Sequence, residues 1–263
     1  MDKLIVIKGG GDLATGIAHR LHQSGFKLVI TELARPTVVR RTVAFAQAVV
    51  DGLATVEGVT ARRVTADAVA ATLAAGCIPV VVDATGRYTA AFQPQAVVDA
   101  IIAKRNTGTA VTDAAVVIGI GPGFTAPDDV HAVIETMRGH DLGRVIYRGT
   151  ALANTGIPGE VGGYTLERLI KAPAEGKFKA CRQIGDTLQA GELVGHVGNW
   201  PVQVAIGGIL RGLIQSGLTV TQGLKIGDVD PRCRPEHCHT ISDKARAIGG
   251  GVLEALLHLG VVP

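Results

Sequence analysis

Aromatic residues are scarce in this chain: they make up 3% of its 263 residues, with one tryptophan, Trp200. Packing therefore falls to Ala, Val, Ile and Leu, within a hydrophobic fraction of 47% that is ample for a core. Cysteine is scarce too. The four present, Cys77, Cys181, Cys233 and Cys238, make no disulfide-like framework in so long a chain, which points to a reducing compartment. Charged residues reach 19%, the net charge is +3, and no Lys/Arg run interleaves with aromatics, so a nucleic-acid partner is not expected. No apolar run approaches the ~18 residues of a membrane span, and "MDKLIVIKGG" lacks the long apolar region of a secretory signal. The expectation is a globular, cytoplasmic protein with no membrane partner; a homo-oligomer is left open.

Glycine is abundant, at 35 residues, and falls at turns. The stretch "IVIKGGGDLATGIAHRLHQSGFKLVITE" shows how. A short apolar run from Leu4 to Ile7 ends in Gly9-Gly10-Gly11, Leu13, Ile17 and Leu21 follow at helical spacing, and Gly25 precedes a second run from Lys27 to Thr31. The alternation predicts a helix from about Ala66 to Ala75, a strand from Ile78 to Val82, a helix from about Pro94 to Lys104, and a strand from Ala115 to Ile118. This reads as a Rossmann-like α/β domain over residues 1–163, a mainly parallel sheet with helices on both faces.

In the first unit Gly9, Gly11 and Ala14 fit G-x-G-x-x-G/A between strand and helix. Gly9 permits the tight turn, and Gly10 and Gly11 let backbone N–H groups approach a phosphate at the helix N-terminus. Ala14 lets helix pack close on strand, and Asp12 and Thr15 lie in the same cradle. Glu32 ends the second strand 21 residues after Gly11, where a carboxylate binds ribose hydroxyls. The plainer reading is a tight turn with no ligand and a solvated strand end. Asp12 is out of place in an ordinary dinucleotide site, because its carboxylate repels a phosphate unless a metal or a proton intervenes.

Ligands of open parallel sheets bind outside the carboxyl ends of the strands. Asp83 after "PVVVD" and Gly121 and Gly123 in "GIGPGF" therefore share that rim, Asp83 as a base or ligand or else as a helix cap. Arg105, Asn106 and Thr107 in "AKRNTGT" suit an anionic group, or end a helix in solvent. "HAVIETMRGHDLGRVIYRG" folds back as two antiparallel strands and gathers Glu135, Arg138 and His140. These are candidates for general acid–base work or a pterin-phosphate contact, unless the hairpin tip is merely solvated. Near the C-terminus Cys233, His237, Cys238 and His239 lack zinc-ribbon spacing. Cys238 is the candidate metal-handling or reactive thiol there, an ordinary reduced cysteine being the alternative. The helix that follows carries "GGG" in its middle, which implies close backbone packing.

The C-terminal half holds a repeat. "GDTLQAGELVG" (Gly185 to Gly195) and "GLTVTQGLKIG" (Gly217 to Gly227) align without gaps, 32 residues apart, each as two short strands around a turn. Residues 164–235 thus form a small β domain, with residues 236–263 a helical segment packing back on the body. The repeat wording resembles the biotinyl/lipoyl-type barrel-sandwich hybrid. The tip between the halves, "VGNWPV", has no lysine, so swinging-arm chemistry is not expected.

Several long motifs carry a wider resemblance: "GGGDLATGIAHRLH", "ARPTVVRRTVAFAQAV", "GIGPGFTAPDDVHAVIETMRGHDLGRVIYRG", "NTGIPG" and "LKIGDVDPR". In these the chain resembles the YqeB-type accessory proteins of selenium-dependent molybdenum hydroxylase systems, over nearly its whole length. The resemblance implies a maturation role, with the hydroxylase and other cofactor-maturation proteins as partners, and a nucleotide or molybdopterin-type cofactor in the glycine loop. It transfers no catalytic residue. An NAD(P)-dependent oxidoreductase and a noncatalytic docking scaffold are the alternatives; no Ser-Tyr-Lys or His-Asp set for hydride transfer is evident.

Overall fold

A computed structural model describes residues 3–263. They fall into two compact units. The first takes in the chain to Pro36, Ala44–Asn154 and Ile241–Pro263; the second takes in Thr37–Val43 and Thr155–Thr240. The residues from Ile241 onward therefore belong to the first unit, and Thr37–Val43 to the second, a division that chain order alone does not suggest.

The first unit is built on nine strands: β1 (Leu4–Lys8), β2 (Lys27–Glu32), β3 (Leu53–Val56), β4 (Val59–Val64), β5 (Ile78–Val82), β6 (Ala96–Asp99), β7 (Val116–Ile120), β9 (Ala132–Ile134) and β10 (Val145–Ile146). Their order is β10-β9-β7-β6-β1-β2-β5-β4-β3, parallel throughout except for the two edges, β3 on β4 and β10 on β9. Two short strands, β8 (Thr125–Ala126) and β11 (Gly149–Thr150), pair antiparallel beside it. Leu4 to Ile7 are fully buried, as a central parallel strand covered on both faces requires. Val6, Val29, Val97 and Val117 share one core cluster from four neighbouring strands.

The helix expected over Pro94 to Lys104 is instead β6, which lies between β1 and β7. Val97 and Val98 are adjacent, β-branched and fully buried, which suits a strand with both faces covered. Its valines satisfy strand and helix periods over so few residues, and tertiary context decides.

Helices α1 (Asp12–Gln23), α2 (Ala48–Asp51), α3 (Val69–Ala74), α4 (Arg87–Ala91) and α5 (Asp243–His258) complete the unit, and only α1 and α5 exceed two turns. The crossover from β6 to β7 carries a single 3₁₀ turn, Val111–Asp113, and no α-helix. α1 and α5 meet backbone to backbone. A Cβ on Gly16 would stand 2.6 Å from the Ala245 Cβ, and one on Gly249 would stand 2.9 Å from the Gly16 carbonyl oxygen. Gly251 similarly packs on the Gly143 carbonyl, so two members of "GGG" are there for close approach. Ser242 caps α5, its hydroxyl accepting from the Ala245 N–H.

The second unit contains two four-stranded antiparallel sheets. One has the order β12 (Leu169–Lys171), β19 (Lys225–Asp230), β17 (Gly208–Leu213), β14 (Thr187–Leu188). The other runs β16 (Trp200–Gln203), β15 (Leu193–Val197), β13 (Gly176–Ala180), β18 (Thr219–Val220). Each repeat copy gives its first strand to one sheet and its second to the other: β14 and β15 from the first copy, β18 and β19 from the second. Phe178, Val194, Leu210 and Ile226 are fully buried between them. Trp200 lies on the edge strand, 61% exposed.

The expectation of a Rossmann-like domain joined to a barrel-sandwich hybrid is therefore corrected. The chain has a mixed α/β fold with one large, mostly parallel sheet and additional antiparallel sheets. Regular helical cover on both sheet faces is missing because the crossovers after β2, β4, β5 and β6 are short or irregular. Among the described residues no helix is long and apolar enough to cross a membrane.

The three consecutive glycines give a direct test of the α1–α5 contact. Gly250 has open space at its Cβ position, so Gly250→Ala is expected to raise stability by about 0.5–1 kcal/mol through helix propensity. Gly249→Ala is expected to lower it by about 1–3 kcal/mol through overpacking. Urea denaturation of the two variants measures both, and equal effects would remove the contact as an explanation.

Candidate functional site

The strand order reverses direction next to β1. From β1 the chain moves to β2, jumps to the far edge at β3 and returns inward through β4 to β5; from β5 it crosses to β6 on the other side of β1 and proceeds to β7 and β9. The loops after β1 and β6 therefore part company at a switch point, where open parallel sheets form their crevice.

Gly9 makes the first bend there, with φ +87 and its N–H on the Thr31 carbonyl at 2.8 Å. A Cβ on it would approach the Ala100 carbonyl oxygen to 3.1 Å, so glycine lets the loop after β1 slip past the loop after β6. The Gly10 N–H donates to Glu32 Oε1 at 3.1 Å, and the Leu33 N–H donates to Glu32 Oε2. Each carboxylate oxygen keeps a further lone pair for a ligand hydroxyl. Gly10 and Thr15 are otherwise committed to the fold. The Gly10 carbonyl accepts from the Ala46 N–H at 2.8 Å and from the Thr15 hydroxyl at 3.3 Å, and Thr15 Oγ1 accepts from the Phe45 N–H at 2.8 Å. Thr15 is fully buried, so the expectation that it contacts a ligand is corrected; its hydroxyl ties two loops together. Ala14 is buried too, in its helix-packing place. Gly11 is the N-cap of α1 and brings no side-chain cap. The N–H groups of Asp12, Leu13 and Ala14 thus have no acceptor within the helix.

The other side of the crevice is the loop after β6. Asn106 shapes it, its Nδ2 donating to the Thr109 carbonyl at 2.7 Å and its Oδ1 accepting from the Gly108 and Thr109 N–H groups at 2.9 and 2.8 Å. Asn106 is therefore a loop-former, while Arg105 and Thr107 are exposed. Ile102 and Lys104 hold φ of +59 and +63, strained for residues with a Cβ and very unusual for a β-branched one. Lys8, at the end of β1, donates to Thr109 Oγ1 and to Asp113 Oδ2, both at 2.9 Å, and Thr109 Oγ1 donates to Asp99 Oδ2 at 2.6 Å. The sequence pattern does not single out this group, because its members lie up to 105 residues apart and meet only through the β1–β6 pairing.

Gly121 and Gly123 follow β7 and pack closely. A Cβ on Gly121 would stand 2.7 Å from Thr136 Oγ1, and one on Gly123 would stand 2.6 Å from the Arg105 Cα. These contacts bring the loops after β6, β7 and β9 together. Glu135, 3% exposed, accepts three backbone N–H groups: Thr136 at 2.7 Å, Met137 at 2.6 Å and Leu152 at 2.8 Å. Its carboxylate holds the loop in shape, which is not the free acid or base suggested by its residue type. Arg138 forks onto Asp243 at 2.7 and 2.9 Å. His140 is exposed at the hairpin tip. Asp83 caps the turn into α4, accepting from the Thr85 N–H at 3.1 Å and the Tyr88 N–H at 2.8 Å.

Lys244, in the first turn of α5, completes the rim and was not evident from sequence. Burial pushes its pKa down and the nearby Arg138 guanidinium pushes the same way, against the attraction of Asp12, Glu135 and Asp243. Burial likewise pushes the Glu32 carboxyl up, against its Leu33 and Gly10 hydrogen bonds.

In the second unit Cys238 is fully buried, and burial raises its thiol against the pull of Arg40 and Arg211. Such a thiol is neither a ready nucleophile nor a thiolate ligand. Among the described residues no group of three or more His, Cys, Asp or Glu side chains is placed to hold a metal.

Two substitutions follow. Glu135→Gln is expected to lower stability by about 1–3 kcal/mol, since an amide cannot accept all three N–H groups; an unchanged urea midpoint contradicts that role. For Glu32, a raised folded pKa means that its contribution to stability is greatest at low pH. It is lost as pH rises from the unfolded value near 4.5 through the folded one. Glu32→Gln should therefore gain stability relative to the native chain between about pH 4 and 7, and pH-independent differences in urea melts would refute this.

No protein-family model matches the chain. Among solved structures, it is similar to an aspartoacylase family protein from Mesorhizobium loti, with TM-score 0.23 and 17% identity over 26% of this chain and 24% of that one. It is similar to a succinylglutamate desuccinylase/aspartoacylase from Rhodobacter sphaeroides, with TM-score 0.23 and 21% identity over 24% and 21%. The product-bound ectoine utilization protein EutE (DoeB) from Ruegeria pomeroyi gives TM-score 0.25 and 13% identity over 77% and 57%. By sequence the match is much stronger. Over 258 residues, 98% of this chain, it is 51% identical to a protein of Escherichia coli (strain K12) described as "Uncharacterized protein YqeB". The chain is thus a homologue of YqeB and spans about half of that relative's length, 48%.

Proposed function

We propose that this chain holds a phosphate-bearing ligand, a nucleotide or a molybdopterin-type cofactor, at the β1–β6 switch point, and serves in maturing a selenium-dependent molybdenum hydroxylase. The observation that carries the binding part is the convergence at one crevice of the uncapped start of α1 with a strained loop. Gly9 bends past Ala100, Ile102 and Lys104 sit at positive φ, and Gly11 leaves the first-turn N–H groups of α1 without a capping side chain. Strain of that kind is retained where a loop must present itself in one shape, and helix N–H groups favour a phosphate. Glu32 supplies acceptors for ribose or pterin hydroxyls beside it. The maturation part is supported by the wording shared with the accessory family, and the hydroxylase and its cofactor-maturation proteins are the proposed partners.

Glu32 suits the ribose of NAD(P) as well, so the two ligands are tested together. Native mass spectrometry of the protein isolated from its own host should show a retained nucleotide or pterin. Calorimetric titration should show micromolar binding of a pterin or nucleoside diphosphate and none of NADH or NADPH. Tight NAD(P)H binding would hand the site to the oxidoreductase reading, and no binding of any of these would end the proposal. Deleting the gene should leave the host's hydroxylase protein present but inactive and selenium-poor; full activity would remove the maturation role.

A further inference from the structure

We infer that the amino-end face of the first unit, around Leu257 and Val262, seats a second protein module, homologous to the part of YqeB that lies outside the shared region and carried by the same polypeptide or by another. The shared region is 48% of YqeB, so about as much chain again is joined to it there. The fold decides where such a module starts. Lys3 leads into β1 and Gly25 into β2, both at the amino ends of their strands. Lys3 Nζ donates to the Pro263 carbonyl at 3.0 Å, and a Cβ on Gly25 would stand 3.5 Å from the Pro263 Cβ. The two margins of the shared region are therefore neighbours at the amino edge of the sheet. A module joined at either margin starts from this face, on the opposite edge from the loops after β1 and β6. Its tether keeps it at high effective concentration here, so even a modest contact is occupied.

The face has the make-up of a contact. Chain ends fray unless they are tied down, and this one is tied. The Val261 N–H donates to the Leu256 carbonyl at 2.8 Å, Val261 is 2% exposed, and Lys3 holds the Pro263 carbonyl. Leu257 and Val262 nonetheless present apolar side chains to water, at 48% and 47% exposure. That exposure belongs to an ordered surface and not to a loose end. Lys3 and Lys27, the latter paired with Leu4, are exposed beside it and make the rim basic. An apolar centre within a polar rim is how contact surfaces are built, and the charge calls for carboxylates on the module's side.

Hydroxyl-radical footprinting, read by peptide mass spectrometry, probes the face in native proteins. In this chain alone, Leu257 should be labelled as readily as Leu53, an equally exposed leucine on the edge strand β3. In intact YqeB, after correction for residue type, the position aligned with Leu257 should be protected about fivefold or more relative to the one aligned with Leu53. Equal labelling of the two in YqeB overturns the inference. Glutamate at the Leu257 counterpart of full-length YqeB should free the halves from each other, read as limited proteolysis between them about tenfold faster, while glutamate at the Leu53 counterpart should not. Equal cleavage of both variants and native YqeB also overturns it. Protection of Leu257 that grows with the concentration of this chain alone, together with a dimer in sedimentation velocity, assigns the face to a second copy and removes the module.

Discussion

The contact between Gly16, Ala245 and Gly249 governs what this molecule's rim can be. Helices ordinarily keep 8–10 Å between their axes, and glycine at the crossing lets two backbones approach until main-chain atoms touch. That approach sets the starts of α1 and α5 side by side, although one helix follows the first strand and the other ends the chain. Asp12 and Lys244 come within each other's field only because of it. Gly251 on the Gly143 carbonyl fixes the same helix against the segment leading into β10, so Arg138 and Asp243 meet as well. A larger residue at Gly16 would push the helices apart and disperse this charge arrangement, even where the sheet survived.

The sheet contributes the second constraint. A parallel strand order that reverses beside β1 leaves an opening between two loops, and the chain fills it unevenly. On one wall Lys8, Asp113, Thr109 and Asp99 form a mutually satisfied set of short hydrogen bonds. On the other, α1 starts with no capping side chain, and a lysine stands where helix dipoles disfavour it. The first wall is at electrostatic rest and the second is not.

Much of the framework is legible in the residues. The apolar runs at Leu4, Lys27, Ile78 and Ala115 become strands, and the "GGG" of the last helix proves to be a site of backbone approach. Local chemistry suffices there, since a short β-rich run between turn signals has few alternatives. It fails for β6, where two valines fit either period and only pairing with β1 and β7 decides. It fails again for Glu135, chosen for the acid–base capacity of its residue type and used to bind three N–H groups. Lys8 and Lys244 escape notice because nothing near them in sequence marks them; their environments are assembled by long-range strand pairing and helix crossing.

The repeat in the second unit shows how duplicated wording can diverge in physics. At the repeat's spacing of 32 residues, His196 and Gly198 of the first copy correspond to Asp228 and Asp230 of the second. Those aspartates are 2% and 0% exposed, yet both sit in the middle of a set of cations. Arg168 reaches Asp228 at 2.5 Å, while Arg211 and Arg232 reach Asp230 at 3.2 and 2.6 Å. Burial alone would raise the Asp230 pKa, but its hydrogen bonds from Arg232 and Arg211 outweigh burial and hold it well below the usual carboxylate range. An isolated buried carboxylate would take up a proton instead. Hydrophobic residues of similar shape would pack β19 against β17 and β12 at least as stably, so stability alone does not account for the ion set. What it adds is uniqueness of pairing. A one-residue slip of β19 would carry both carboxylates to the opposite face and leave the largely buried guanidinium groups of Arg168 and Arg211 without these counter-charges. The two copies share a turn-and-strand frame, and only the second carries the charges that fix its register.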